Sequence, residues 1–271
     1  MSQSNVSNAR KLAEAAVMLA VATVLSLIKL VDLPYGGSVT IACMLPVVII
    51  SYRHGIKLGL LTGFVFGLIQ QLLGLNTLSY VTTWQSILAV ILLDYIIAFM
   101  VIGLGGMFKK LSSQANALML GTIAVCVIRY ICHVISGATV WAGLSIPTNA
   151  ALIYSIGYNA TYMIPETIVT AAVAYYVGSV LDFRKDTITN IKMTEKEKLP
   201  VLKWIGGLVL AAALVFDVRN VFMHLQNAES GEFDATGFAN VNWSVILIVS
   251  AIAIVVAAVL FIVSSKKKEE Q

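Results

Sequence analysis

Four ionisable side chains stand inside stretches that otherwise read as hydrocarbon: Asp94, Arg129, His133 and Glu166. Such groups are expensive within a membrane and mark binding sites or relays. Arg129 and His133 are four residues apart, so they share one face of a helix. Tyr95 adjoins Asp94 and Trp141 follows His133, while "LIYSIGYNATYMIPET" (152–167) brings Tyr154, Tyr158 and Asn159 close to Glu166. Aromatic faces, a carboxylate and an amide edge together suit a flat, cationic, hydrogen-bonding ligand. Each group also has a plainer use. Tyrosine and tryptophan anchor proteins at the headgroup level. An Asp94–Arg129 ion pair would neutralise two buried charges, and Glu166 after Pro165 would suit the positive end of a helix start.

The elements that carry these residues are membrane spans. The chain has 271 residues, 59% hydrophobic and 12% charged, about half the charged fraction of a soluble domain. Apolar runs at 9–31, 38–52, 56–74, 84–107, 116–136, 160–182, 199–216 and 243–264 predict eight transmembrane helices, six and then two, in an all-α integral membrane protein. Asp94 lies about ten residues into its span from the outer side, roughly 15 Å, and Arg129 about 13 residues from the inner side, roughly 20 Å. Both reach similar depth. Alternating the spans from a cytoplasmic N-terminus puts Arg10/Lys11, Arg53/His54/Lys57, Lys109/Lys110, Arg184/Lys185 and Lys266 to Lys268 on the inside, which also leaves the C-terminus cytoplasmic.

The outer loops are expected at 31–37, 73–83 and 136–157, poor in charge and rich in aromatic and turn residues, with a solvated segment at 217–242. The first apolar run continues too far to be a cleaved signal peptide and is a retained helix. Gly55, Gly59, Gly63 and Gly67 recur every fourth residue, a stripe that lets a neighbouring helix approach closely. Ala16 and Ala20 form a milder small-residue face, for internal packing or a partner. Cys43, Cys126 and Cys132 lack metal or disulfide spacing. Basic clusters separated by membrane spans do not make a nucleic-acid surface. The chain has no G-x-x-x-x-G-K-[ST], HExxH or G-x-S-x-G, so enzymatic chemistry has little support.

The segments "PYGGSVTIACMLPVVIISYRHGIKLGLLTG", "LLDYIIAFMVIGLGGMF", "IRYICHVISGATVWAG" and "IYSIGYNATYMIPE" together resemble the thiamine transporter family, the substrate-binding S components of energy-coupling factor (ECF) transporters. The resemblance runs from about residue 9 to 184. It implies a six-helix S-component core at 1–184, then a cytoplasmic linker at 185–198 and two additional transmembrane helices at 199–271 without counterpart in the family. It implies thiamine capture from outside under a lid made by the first outer loop, with no cofactor, and delivery through an ECF transmembrane subunit and two ATPase subunits that supply the ATP hydrolysis. Carried over position by position, Asp94 and Tyr95 would face the thiamine cation and aminopyrimidine. His133, Trp141, Tyr154 and Asn159 fall on pocket positions, Arg129 on a basic position one turn below the histidine, and Tyr158 beside them. Ala16 and Ala20 match the small-residue motif that docks the energising partner. Some relatives carry glutamate where Asp94 stands and tryptophan near Gly36-Gly37 and at Phe66. Two other readings are an S component for a thiamine precursor, and a stand-alone proton-coupled carrier using Asp94, Arg129 and His133.

Overall fold

The computed structural model describes residues 7–33, 36–110, 113–143, 148–191, 201–224 and 235–269. The chain forms two compact units, residues 1–191 and 192–271. Five helical segments are long and apolar enough to cross a membrane: Ile56–Leu73, Trp84–Gly106, Gln114–Val140, Ala151–Val180 and Trp243–Ser264. This is an all-α membrane protein with two short hairpins added.

The first unit opens with α1 (Asn8–Leu27), whose N-cap Ser7 side chain accepts the Arg10 amide. A hairpin follows, β1 (Lys29–Asp32) antiparallel to β2 (Ser38–Thr40). The expected span at 38–52 is therefore corrected. Its first three residues are strand, and helix α2 (Leu45–His54) is only ten residues long. Ten residues rise about 15 Å, half the hydrocarbon thickness. Pro46 stands in the first turn of α2, and Gly55, at φ 97°, makes the left-handed turn into α3 (Ile56–Leu73).

The glycine stripe of α3 packs internally. A Cβ on Gly63 would lie 2.9 Å from the Met100 carbonyl oxygen, and one on Gly67 would lie 2.7 Å from that of Tyr95. These contacts draw α3 onto the rod at 84–106, which is not one regular helix. It comprises α4 (Trp84–Ala89), a π-helical stretch Val90–Ile97, α5 (Ala98–Met100) and a 3₁₀ segment Val101–Gly106. Asp94 and Tyr95 stand in the π-helical stretch, a rare i→i+5 winding that is frequent at functional sites.

Helices α6 (Gln114–Gly143) and α7 (Thr148–Val180) are 30 and 33 residues long. The outer loop expected at 136–157 is thus mostly helical, with residues 144–147 outside the described residues. Glu166 is also corrected: Pro165 lies inside α7, not at its start. After α7, β3 (Leu181–Asp182) pairs with β4 (Thr189–Asn190). Gln114 fixes this turn to α6, donating to the carbonyls of Gly178 (2.7 Å) and Leu181 (2.5 Å) and accepting the Phe183 amide (2.8 Å).

The second unit holds α8 (Val201–His224) and α9 (Trp243–Glu269), with a 3₁₀ turn at Ala235–Asn240. Residues 217–224, expected in a solvated loop, are helical. Ser250 on α9 donates to Asp217 Oδ2 on α8 at 2.5 Å. Much of α9 remains exposed, including Leu247, Ile254 and Val255, as expected of a surface facing lipid.

Candidate functional site

A cavity of about 490 Å³ opens in the first unit, between the β1–β2 hairpin and the segments α3, 84–106, α6 and α7. That volume lies within the ordinary range for small-molecule sites. Its rim is polar, with Lys29, Asp32, Ser38, Asn76 and Thr77, and its interior carries Asp94, Tyr95, Arg129, His133, Tyr158 and Asn159. Six of the eight predicted ligand residues therefore line one space. Tyr154 is half-buried on α7, outside that lining. The side chain of Trp141 lies outside the described residues.

Asp94 does not form its expected hydrogen-bonded ion pair with Arg129. Its Oδ1 accepts from His133 Nδ1 at 2.7 Å and its Oδ2 from the Ser136 hydroxyl at 2.8 Å. His133 Nε2 lies 3.5 Å from Arg129 Nη2. A guanidinium has donors only, so Nε2 presents its lone pair there and the ring proton sits on Nδ1, toward the carboxylate. The imidazole thus stands between opposite charges. The equal depth of Asp94 and Arg129 suggested a direct contact; the π-helical winding at 90–97 instead brings the carboxylate to the imidazole and hydroxyl of α6.

Arg129 is 7% exposed and makes no salt bridge within 4 Å to a described residue. Its guanidinium lies over the Phe99 ring, 4.5 Å from the centroid, and Nη1 donates to the Met44 sulfur. Arg129 Nε has no partner among the described residues. A buried cation so weakly matched is costly, and in this wall it faces the cavity.

The opposite wall comes from α7. Asn159 donates to the His133 carbonyl (3.2 Å) and the Ser155 carbonyl (2.8 Å), and its Oδ1 accepts from Tyr162 Oη at 2.6 Å. The Tyr162 ring meets the His133 ring edgewise, with centroids 6.0 Å apart. The Tyr158 hydroxyl accepts the Gly37 amide at 2.9 Å, and Tyr95 Oη donates to Thr77 Oγ1 at 3.2 Å. Sequence reasoning missed Tyr162, Ser136 and Ser155. Tyr162 and Ser155 stand four residues from Tyr158 and Asn159, and Ser136 three residues from His133, and these same-face spacings were the available signal.

Ala16 and Ala20 are both exposed on α1, on a face shared with Leu12, Val17 and Val24. Near the opposite end of this unit, Glu14 accepts from Arg53 (3.0 Å) and lies 2.7 Å from His54 Nε2. Arg53 also donates to the Phe183 and Lys185 carbonyls. There the hydrogen bond from the Arg184 guanidinium holds the Asp182 carboxyl below the usual carboxylate range. No cluster of metal-binding side chains occurs among the described residues.

Residues 12–184 match the family described as thiamine transporter protein. The chain is 36% identical over 179 residues to the thiamine transporter ThiT of Bacillus subtilis (strain 168), across 60% of this chain and 87% of that protein. It also resembles a solved structure of ThiT from Listeria monocytogenes, with a TM-score of 0.50 and 25% identity over 62% of this chain and 92% of the other.

Proposed function

The chain belongs to the thiamine transporter protein family, a family of transport proteins and not of enzymes, and from that premise we propose that its cavity captures thiamine for uptake across the cell membrane. The observation that carries this reading is the row Asp94–His133–Arg129 in an aromatic-walled cavity inside the matched segment. Asp94 supplies the negative charge that a thiazolium requires. Tyr95, Tyr158 and Tyr162 offer ring faces and edges, and Asn159, already oriented by Ser155 and Tyr162, presents a hydrogen-bonding edge near the aminopyrimidine. The Arg129 guanidinium, in the same lining and without a carboxylate partner among the described residues, offers N–H donors to an acceptor on the same ligand. Trp141 and Tyr154 complete the set on positions implied by the family resemblance.

Transport itself depends on partners. In this reading the 1–184 core is an S component, oriented with both termini of the chain in the cytoplasm. It meets an ECF transmembrane subunit through Ala16 and Ala20, and two ATPase subunits drive the cycle. The exposed small-residue face of α1 supports that docking, because small side chains let helices approach closely in lipid. The linker 185–198 and the two helices of 199–271 are an addition to the core.

The test is thiamine titration of the purified, detergent-solubilised protein, followed by intrinsic fluorescence. Saturable quenching at sub-micromolar thiamine, roughly −8 kcal/mol or better, is the expected result. Folded protein that binds a pyrimidine precursor but not thiamine would replace the ligand. Uptake into vesicles lacking ATPase subunits would replace the mechanism with a proton-coupled carrier.

A further inference from the structure

Glu166 is a buried carboxylate in the cavity wall that the ligand reading leaves without a task. It is 3% exposed, and both its oxygens bind one residue of the hairpin. Oε2 accepts the Thr40 amide at 2.6 Å and Oε1 accepts the Thr40 hydroxyl at 2.8 Å. Thr40 ends β2, which borders the cavity together with Gly36, Gly37 and Ser38. At the other end of this short stretch, the Gly37 amide donates to Tyr158 Oη.

These contacts are in register. Tyr158, Tyr162 and Glu166 recur every fourth residue and make one stripe about 12 Å long on α7. Gly37 to Thr40, extended, spans about 10 Å. The strand therefore lies along the stripe with a hydrogen bond at each end, and Tyr162 packs beneath it where a Cβ on Gly37 would collide with its ring. Just beyond the clasp, Ala42 has φ 55°, a left-handed conformation that a residue with a Cβ adopts only when its surroundings impose it. One side of that bend is the fully buried first turn of α2, with Met44 and Val47 at 0% exposure. The other side is the Glu166–Thr40 pair.

We propose that Glu166 is a positioning residue whose double hydrogen bond to Thr40 clasps the hairpin over the cavity and so sets how long the ligand stays. This rests on the reading that the cavity binds thiamine. Both Glu166 oxygens are engaged by the one residue that ends β2, and the other described hydrogen bond to Glu166 near this end is the long one donated by Cys43 Sγ to the same Oε1, at 4.0 Å. Loss of the clasp frees the hairpin to lift at residues 41–43 while Asp94, His133 and Asn159 keep their places.

The experiment compares the full chain as wild type, Glu166→Met, which removes both acceptors at similar volume, Thr40→Val and Thr40→Ser. Amide exchange of residues 36–43 without ligand is the first readout. It should accelerate about tenfold or more in Glu166→Met and Thr40→Val and stay near wild type in Thr40→Ser, which keeps the hydroxyl and gives up the methyl. Unchanged exchange, or the packing order with Val near wild type and Ser impaired, overturns the clasp. The second readout is thiamine dissociation measured by chase. It should accelerate about tenfold in the same two variants, with association within about twofold of wild type. Faster exchange with unchanged dissociation overturns the role in retention. A wild type that binds no thiamine defeats the ligand reading alone, and the exchange order still decides the clasp.

Discussion

Replacing Asp94 by Asn removes one unit of charge and little else. The carboxylate accepts one hydrogen bond at each oxygen, from His133 Nδ1 and from Ser136 Oγ. In Asp94→Asn the amide oxygen keeps the imidazole bond, and the Ser136 hydroxyl rotates to accept from the new NH₂. The fold should therefore survive. A ligand cation seated about 5 Å from the carboxylate interacts with it by about 3 kcal/mol at an effective dielectric near 20, and by half that if water enters. With the side chain 23% exposed, the expected loss lies between those bounds, about 1.5–3 kcal/mol, or roughly 10- to 150-fold in Kd. Isothermal titration of thiamine at equal ionic strength measures it. A neutral pyrimidine fragment of thiamine, which lacks the thiazolium, should lose no more than about threefold in the same variant. Thiamine affinity within threefold of wild type, or equal losses for cationic and neutral ligands, would refute the assigned role.

Three further outcomes follow from the packing. Arg129→Met should leave the melting temperature unchanged or raise it by a few degrees, because it removes a buried guanidinium without a carboxylate partner and fits beside Met44 and Phe99, while thiamine affinity falls; a lower melting temperature would count against the accounting of Arg129. Gly67→Ala should lower both stability, by about 1–3 kcal/mol, and affinity, since its Cβ meets the Tyr95 carbonyl, whereas Gly157→Ala, with nothing within 4 Å, should be neutral or stabilise α7 by up to about 1 kcal/mol; thermal unfolding reads both. The depressed Asp182 carboxyl contributes stability that is present above the unfolded value near 3.9 and is lost as pH falls below it. Asp182→Asn should flatten the acid limb of a melting-temperature profile, and an identical acid limb in the variant would be the contrary result.

The binding face of α6 was legible because Arg129 and His133 are four apart on a regular helix. The partner of Asp94 was not, because depth in a membrane follows from counting residues, but angular position does not when the winding changes to i→i+5 at 90–97. The run at 38–52 read as a span for a related reason. A short apolar stretch does not distinguish strand from helix, and the strand here is held by Glu166, 126 residues away from Thr40. Loop-like residues at 136–143 and 148–157 are wound into helix where α6 and α7 pack together, tertiary contact overriding weak propensity. Pro165 read as a helix start by its usual placement, yet membrane helices tolerate proline within them because neighbouring groups satisfy the freed carbonyl. The glycine stripe was the exception: its period on α3 gave the close packing directly.

The order of charges also separates the readings of the site. Asp94, His133 and Arg129 form a row in which the imidazole proton points to the carboxylate and the lone pair to the guanidinium. A proton relay needs each member to accept on one side and donate on the other. Arginine stays protonated and offers donors only, so a proton arriving at Nε2 would meet N–H groups and have nowhere to go. The row ends at Arg129. As a binding site the same row has two poles: a carboxylate whose remaining lone pairs suit a cation, and a guanidinium in the cavity lining with no carboxylate partner among the described residues. A neutral pyrimidine satisfies the second pole only. Thiamine carries a cationic ring and an acceptor-bearing heterocycle on one short bridge, and it can engage both poles, which lets the groups that burden the empty cavity stabilise the occupied one.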